Sequence, residues 1–249
     1  MGCCETRDKS FKENLNLIKS QDSPNLESDI LLNKVPSVDS VLCEHTLKIK
    51  HYLESIENAV DWISAISEEN FSAWKTHGSK FQDKTLLSKL WVNMETYVPL
   101  NLILDLFLVP DMRLKWDTCL KSLCVVEGTA FDQVSHYRIK VLFFAGEIVE
   151  KIKVFYDKDA VYIVSFSVEH EEFKEIKDYT RMHKVLGCVK VTEKNGVTQL
   201  ICTNQIDSKS KIESLMASVG IVQQKLWIEA FRKRVKRIMM NSKLSKFII

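Results

Sequence analysis

The chain opens "MGCCETRDKS", and its first chemical possibility lies there. Gly2 followed by Thr6 fits the N-myristoylation pattern. One myristoyl chain attaches a protein to a membrane only marginally and reversibly, so stable attachment requires a second signal. The nearby cations Arg7, Lys9 and Lys12 are offset by Glu5 and Asp8, too weak a balance for a polybasic signal. Palmitoylation of Cys3 and Cys4, beside the first lipid, is the better second signal. The alternative is an ordinary N-terminus that happens to read Gly-Cys-Cys. On the first reading the protein is lipid-anchored at the cytoplasmic face of a membrane.

A second possibility is Glu150. In "IVEKIKV" it shares strand parity with Ile148, Ile152 and Val154, while Lys151 falls on the other face. An acid on an apolar face must be paired or protonated, because an isolated buried charge is very costly. The alternative is a strand that begins later and leaves Glu150 exposed. Glu150 with His136 or Tyr137 is the one seed of a catalytic cluster, and the alternation in "HYRIKVLFF" puts Tyr137 on the apolar side and His136 on the wet side. There is no G-x-S-x-G, no H-E-x-x-H and no phosphate-cradling glycine loop. The seven cysteines form no CxxC pair, and His136, His170 and His183 are scattered, so zinc-site spacing is absent. No secretory core follows the start, so most of the cysteines are expected to be buried small hydrophobes, not disulfides, in a reducing compartment. No enzymatic activity, metal or cofactor is expected.

Positioning such groups takes a real core, and 249 residues at 45% apolar content supply one. A net charge of +2 gives no bulk case for a nucleic-acid partner. The longest apolar stretch, "YVPLNLILDLFLVP", is 14 residues, too short to span a bilayer. Residues 5 to about 44, rich in Ser, Asn, Asp and Glu and broken by Pro24 and Pro36, read as a flexible tether with one short helix near "FKENLNLIKS". Ile49, Leu53, Ile56, Val60 and Ile63 predict a helix from Cys43 to about Ser67. Strands carrying Trp74 and "LLSKLWVNME" follow.

"PLNLILDLFLVPDMRLKWD" predicts one helix stopped before Pro110 and a short second one capped by Asp111. From Leu120 to Ile206 the pattern is β, with hairpins turning at "DKDA" and at Asn195-Gly196, which argues an antiparallel sheet in an α+β protein. A long helix from about Ser208 to Met239 carries a stripe of Ile212, Leu215, Met216, Val219, Val222, Leu226 and Ala230, expected to pack on the sheet. The organisation is therefore a tether over 1–44, a folded domain over 45–240 and a short basic and apolar tail over 241–249.

This order of elements resembles the START lipid-binding domain across roughly residues 46 to 238. "RLKWD" (Arg113 to Asp117) is similar to the family's Arg-x-x-Trp-Asp. "SFSVEHEEFKEIKDYTRMHKVLGCVKV" resembles its Ser-x-x-His stretch and Arg-bearing strand, with His170 and Arg181 at the matching places. "QIDSKSKIESLM" resembles its Asp-x-x-Gly-x-Ile-Pro segment, with Ser210 and Glu213 replacing the Gly and Pro. A further departure is "AGEIVEK" where an Arg-Asp pair is usual.

The resemblance implies a helix-grip fold, a curved antiparallel sheet wrapped around the C-terminal helix, enclosing a tunnel for one lipid. It implies lipid contacts from Tyr137, Glu150, Ile152, Met216, Val219, Leu226 and Trp227, although plain core packing would give the same pattern at the apolar positions. Arg181, if it enters the tunnel, would pair with a headgroup phosphate, Glu147 or Glu150; otherwise it is a solvated strand residue. Trp116 reads as a structural anchor more than a ligand contact. The expected partners are a lipid ligand and a membrane surface, the latter met by the N-terminus and by the basic, aromatic "KLWIEAFRKRVKRIMMNSKLSKFII"; the protein is expected to be a monomer. The competing expectation is a membrane-bound scaffold whose interior is filled.

Overall fold

The computed structural model describes residues 62–77, 86–141, 144–207, 209 and 213–245, and within them it leaves the side chains at 76, 77, 86, 213–219, 221 and 243–245 undescribed. The N-terminal motif with Gly2, Cys3 and Cys4, the tether, and the helix expected over 43–61 lie outside the described residues. Ten strands form one open sheet: β1 (Ile63–Glu68), β2 (Phe71–His77), β3 (Leu86–Asn93), β4 (Leu120–Gly128), β5 (Asp132–Val141), β6 (Phe144–Asp157), β7 (Ala160–Ser167), β8 (Thr180–Arg181), β9 (His183–Lys194) and β10 (Val197–Asp207). Their order is β1-β2-β3-β10-β9-β7-β6-β5-β4, antiparallel throughout, with the two-residue β8 added in parallel to β6. Helices α1 (Leu100–Leu108) and α2 (Pro110–Arg113) connect β3 to β4, and α3 (Glu213–Ser245) ends the described chain. The helix-grip α+β class expected from the sequence is the one observed.

Local chemistry accounts for the corners. Asp157 pairs with Ala160, so the β6–β7 turn is Lys158-Asp159. Lys194 pairs with Val197 around Asn195 (φ 55°) and Gly196 (φ 71°), the left-handed pair that a type I′ turn requires. α1 stops where Val109, ahead of a proline, turns extended at φ −88°, ψ 117°. α2 differs from expectation: Val109 is its cap and Pro110 its first residue, so Asp111 sits in the first turn instead of capping it.

The segment 63–68 is also a correction. Ile63 continues the helical spacing of the residues before it, yet the segment pairs with β2, Ser64 opposite Trp74 and Glu68 opposite Phe71. Cross-strand pairing outweighs a periodicity carried by a single residue.

The inner face of the sheet meets α1 and α3 in the main core, which includes Phe71, Leu90, Val92, Leu200, Ile228 and Phe231. Four aromatic rings from Phe107, Trp116, Trp227 and Phe231 pack with centroids 5.0–5.8 Å apart. Trp116 is an anchor here: it is 3% exposed and its Nε1 donates to the Leu106 carbonyl at 2.9 Å.

α3 presents a different face to the sheet from the one its sequence stripe suggests. Ile228, Phe231 and Val235 are buried, whereas Val222 and Leu226 are 60% and 50% exposed. Polar ties explain the rotation. Gln223 reaches Cys119, Gln224 donates to Ser88 Oγ at 2.8 Å, and Trp227 Nε1 donates to Asp117 at 3.0 Å. Further along, Lys225 pairs with Glu68, and Arg232 donates to the backbone carbonyls of Asn70 and Asn93. The helix also runs to Ser245, past its expected end at about Met239.

Candidate functional site

Between the inner face of the sheet and the 220–227 segment of α3 lies a cavity of about 280 Å³. Its apolar wall comes from residues such as Leu90, Ile139, Ile148, Ile152, Ile163 and Met182, closed on the helix side by Trp227. Strand alternation explains the wall, because Ile148 and Ile152 project to one side of β6 and face Tyr137 and Gln133 across β5.

Set into this wall is a buried polar cluster. Lys184 Nζ donates to Glu150 Oε2 and, at 3.3 Å, to Ser165 Oγ. The same ammonium lies 5.2 Å from the centre of the Tyr137 ring. Arg113 Nε donates to Asp117 Oδ2 at 3.3 Å, and its guanidinium lies 5.8 Å from that same ring. The cluster is made of two cations and two carboxylates around one phenol. Burial works against the charge of Lys184, but Glu150 and Tyr137 outweigh it and raise its pKa. Arg113 behaves likewise: desolvation opposes its charge, and Asp117 with Glu150 overrides it. Burial and the Glu150 carboxylate push the Tyr137 hydroxyl up to about 12, so it remains a neutral donor at physiological pH.

The expected site residues divide clearly. Glu150, Tyr137, Ile152 and Trp227 line the cavity, and Glu150 takes the buried, paired option. Leu226 does not line it; the polar ties of Gln223, Gln224 and Trp227 turn that position outward. The side chains of Met216 and Val219 lie outside the described residues. Arg181 is a correction: it sits on the opposite side of the sheet. β8 pairs with β6 so that Arg181 is level with Glu147, and its Nε and Nη2 donate to Glu147 Oε1 at 3.0 and 2.9 Å.

His136 is expected on a wet face, and that face is dry where it stands. The segment 168–179 folds back over it, putting Phe173 4.5 Å from the imidazole, and His136 Nε2 is 3.1 Å from Glu147 Oε2. His136 therefore lies across the sheet from Glu150 and is no part of the inner cluster.

Lys184 is the residue that strand parity misses. Alternation back from Leu186 and Cys188, which pack on the outer side with Tyr162 and Val164, would put Lys184 outside too. Val185 has no partner on β10, since Gln205 pairs with Leu186 and Ile206 with Lys184, and this bulge turns Lys184 inward. Gly187 leaves room for the lysine stem: a Cβ there would fall 3.1 Å from Lys184 Cδ. The isolated Lys-x-x-Gly is the only sequence trace of the arrangement. Among the described residues no cluster of three His, Cys, Asp or Glu could hold a metal ion.

No protein-family model and no curated protein sequence matches the chain. Solved structures do. Human StAR-related lipid transfer protein 5 superposes with a TM-score of 0.69 at 14% identity, covering 79% of this chain and 97% of its own. The fold is that of a START domain. Human STARD10 gives a TM-score of 0.65 at 16% identity over 86% of this chain and 84% of its own. A STAR-related lipid transfer protein from Xanthomonas axonopodis gives 0.60 at 11% identity, over 70% and 98%. In this START fold the cavity lies where α3 crosses the sheet. The Arg113–Asp117 pair from the short α2 segment and the Glu150–Lys184 pair from the strands meet at Tyr137.

Proposed function

We propose that the protein binds a single lipid in the cavity beneath α3, without catalysis, to transfer or sense it. The supporting observation is the cavity itself: an apolar wall beside a paired polar cluster, on the fold that human StAR-related lipid transfer protein 5 shares. An apolar chain withdrawn from water gains about 0.8 kcal/mol per buried methylene. Ile152 and Trp227 would contact that chain. Tyr137, Glu150, Lys184 and Arg113 would meet the polar end of the ligand, where an unpaired buried group would cost more than a bond returns. The polar cluster consists of ion pairs and a neutral phenol, with no activated nucleophile, and so suits recognition better than chemistry. The volume lies just below the usual pocket range of about 300–1,000 Å³, so the ligand is small or the walls part to admit it. Acylation at Gly2, Cys3 and Cys4 would hold the domain at the cytoplasmic face of a membrane, within reach of its ligand.

Native mass spectrometry of the full chain, followed by solvent extraction, tests this reading. The expected result is one stoichiometric lipid class, reduced in Tyr137→Ala. A chain that stays empty after incubation with mixed liposomes would overturn lipid binding and favour a scaffold with a filled interior.

A further inference from the structure

The inner row of β10 runs Leu200, Cys202, Asn204 and Ile206, and the Asn204 amide breaks an otherwise apolar series. Asn204 stands on one rung of the sheet. It is level with Ser88 on β3 and with Gly187 on β9, and Gly187 is level with Ser165 on β7. With no side chain at 187, its neighbours lean in from both sides: a Cβ there would lie 2.5 Å from Ser165 Oγ and 3.3 Å from Asn204 Oδ1. Gln224 meets the rung from α3, its Nε2 donating to Ser88 Oγ at 2.8 Å. Ser88 gives its own proton to the Asn204 carbonyl at 3.4 Å, which fixes Gln224 Oε1 as the free end. That oxygen is buried and has no hydrogen-bond partner. The Asn204 side-chain amide makes no hydrogen bond among the described residues, and both side chains line the cavity. Ser165 Oγ accepts from Lys184, so its proton is left to donate.

We infer that Gln224, Asn204 and Ser165 form a second polar station in the cavity, which takes an uncharged ligand group that both donates and accepts: a hydroxyl or a secondary amide. This assignment rests on the proposed lipid binding and narrows the ligand to lipids that carry such a group. Buried polar atoms without partners are few in folded proteins, and two amides left so beside one cavity call for a partner from outside the chain. Water serves such atoms in an open cavity, but a bound acyl chain displaces it, and the station is then met only by the ligand's own polar atoms. Gln224 Oε1 can only accept, so the ligand must bring a proton; Ser165 has one to give, so the ligand must also bring an acceptor. An ester or ether supplies the acceptor alone and leaves Gln224 Oε1 unpaired, which costs affinity. Ser165 also joins the station to Lys184, and through it to the cluster at Tyr137. The ligand's polar part therefore lies along the rung instead of ending at one point.

The test is native mass spectrometry of the full chain with probes that share one acyl chain: oleoyl N-ethylamide, oleyl alcohol and ethyl oleate. The amide and the ester differ only in N–H against O. The amide and the alcohol should each be retained about tenfold more strongly than the ester, the effect of one unmet buried hydrogen bond. Gln224→Met and Asn204→Leu should each bring that ratio close to one. Asn204→Leu should melt no lower than the unaltered chain, because its side-chain amide has no bond to lose, so its loss of preference is separable from unfolding. Retention of the amide above the alcohol assigns the first group and the reverse order the second; both support the station. Equal retention of all the probes, or a preference that survives both substitutions, overturns the station and leaves lipid binding standing. Retention of none overturns the station together with the proposed function.

Discussion

Glu147 and Arg181 form an ion pair on the side of the sheet away from the cavity, with Nε and Nη2 of the half-buried guanidinium on one oxygen of the buried carboxylate. Glu147 is 0% exposed, and the Ile176 amide and His136 close around it, while Arg181 also donates to the Phe173 carbonyl at 2.9 Å. The pair thus ties the segment 168–179 to β6. Arg181 is partly exposed and Glu147 keeps the Ile176 amide and His136, so losing the guanidinium costs about 1–3 kcal/mol. Arg181→Met should lower the urea midpoint by that amount and expose 168–179 to proteolysis. It should leave the identity of any copurifying lipid unchanged, because Arg181 does not line the cavity.

The same cluster makes stability depend on pH. Burial holds His136 below its ordinary value of 6.5, against the opposing pull of Glu147. A depressed folded-state pKa means that the unfolded chain takes the proton first, so stability is complete above about pH 6.5 and falls as pH drops below it. Burial tends to raise Glu147, but Arg181 and His136 outweigh it and hold the carboxyl below 4.5. A second loss therefore sets in below that value, in the same direction. Thermal melts from pH 8 to about 2.5 should show the melting temperature falling in two stages, and His136→Gln should remove the upper one.

The inner pair invites a double-mutant cycle. Lys184→Met alone should cost about 3–5 kcal/mol by stranding Glu150, whereas Lys184→Met with Glu150→Leu should recover most of that, as paired replacements of buried ions commonly do. Chemical denaturation supplies the stabilities. The double variant should nonetheless lose selectivity for the polar end of the ligand, read from the spread of lipid classes extracted.

A Cβ at position 187 would fall 2.5 Å from Ser165 Oγ as well as close to the Lys184 stem. Gly187→Ala should therefore displace the lysine from Glu150 and cost about 1–3 kcal/mol as overpacking. Its loss of lipid retention should exceed that of a core variant matched for stability.

Trp116→Ala should cost about 3–5 kcal/mol through loss of its ring from the aromatic group. Trp116→Phe should cost less, chiefly the bond to the Leu106 carbonyl, and melting curves of the two separate packing from hydrogen bonding.

How far the sequence reaches depends on whether a signal is local. The turn at Asn195-Gly196 and the stop of α1 before Pro110 are local and as expected, and the local parity of Glu150 with Ile148 and Ile152 offers the buried position it takes, beside an exposed alternative. Lys184, Arg181 and His136 depend on distant partners. Lys184 faces inward because of a bulge at Val185, and Arg181 faces outward because β8 takes its register from β6. His136 is dry because a segment more than thirty residues later covers it. The apolar stripe of α3 misleads for a different reason. The helix carries two apolar rows, and side-chain bonds from Gln223, Gln224 and Trp227 decide which one the sheet receives.

The polar cluster around Tyr137 sums to zero charge: Arg113 and Lys184 against Asp117 and Glu150, with the phenol neutral. A ligand with net charge would have to break one of these pairs or bring its own counterion into the cavity, while an uncharged or zwitterionic headgroup would not.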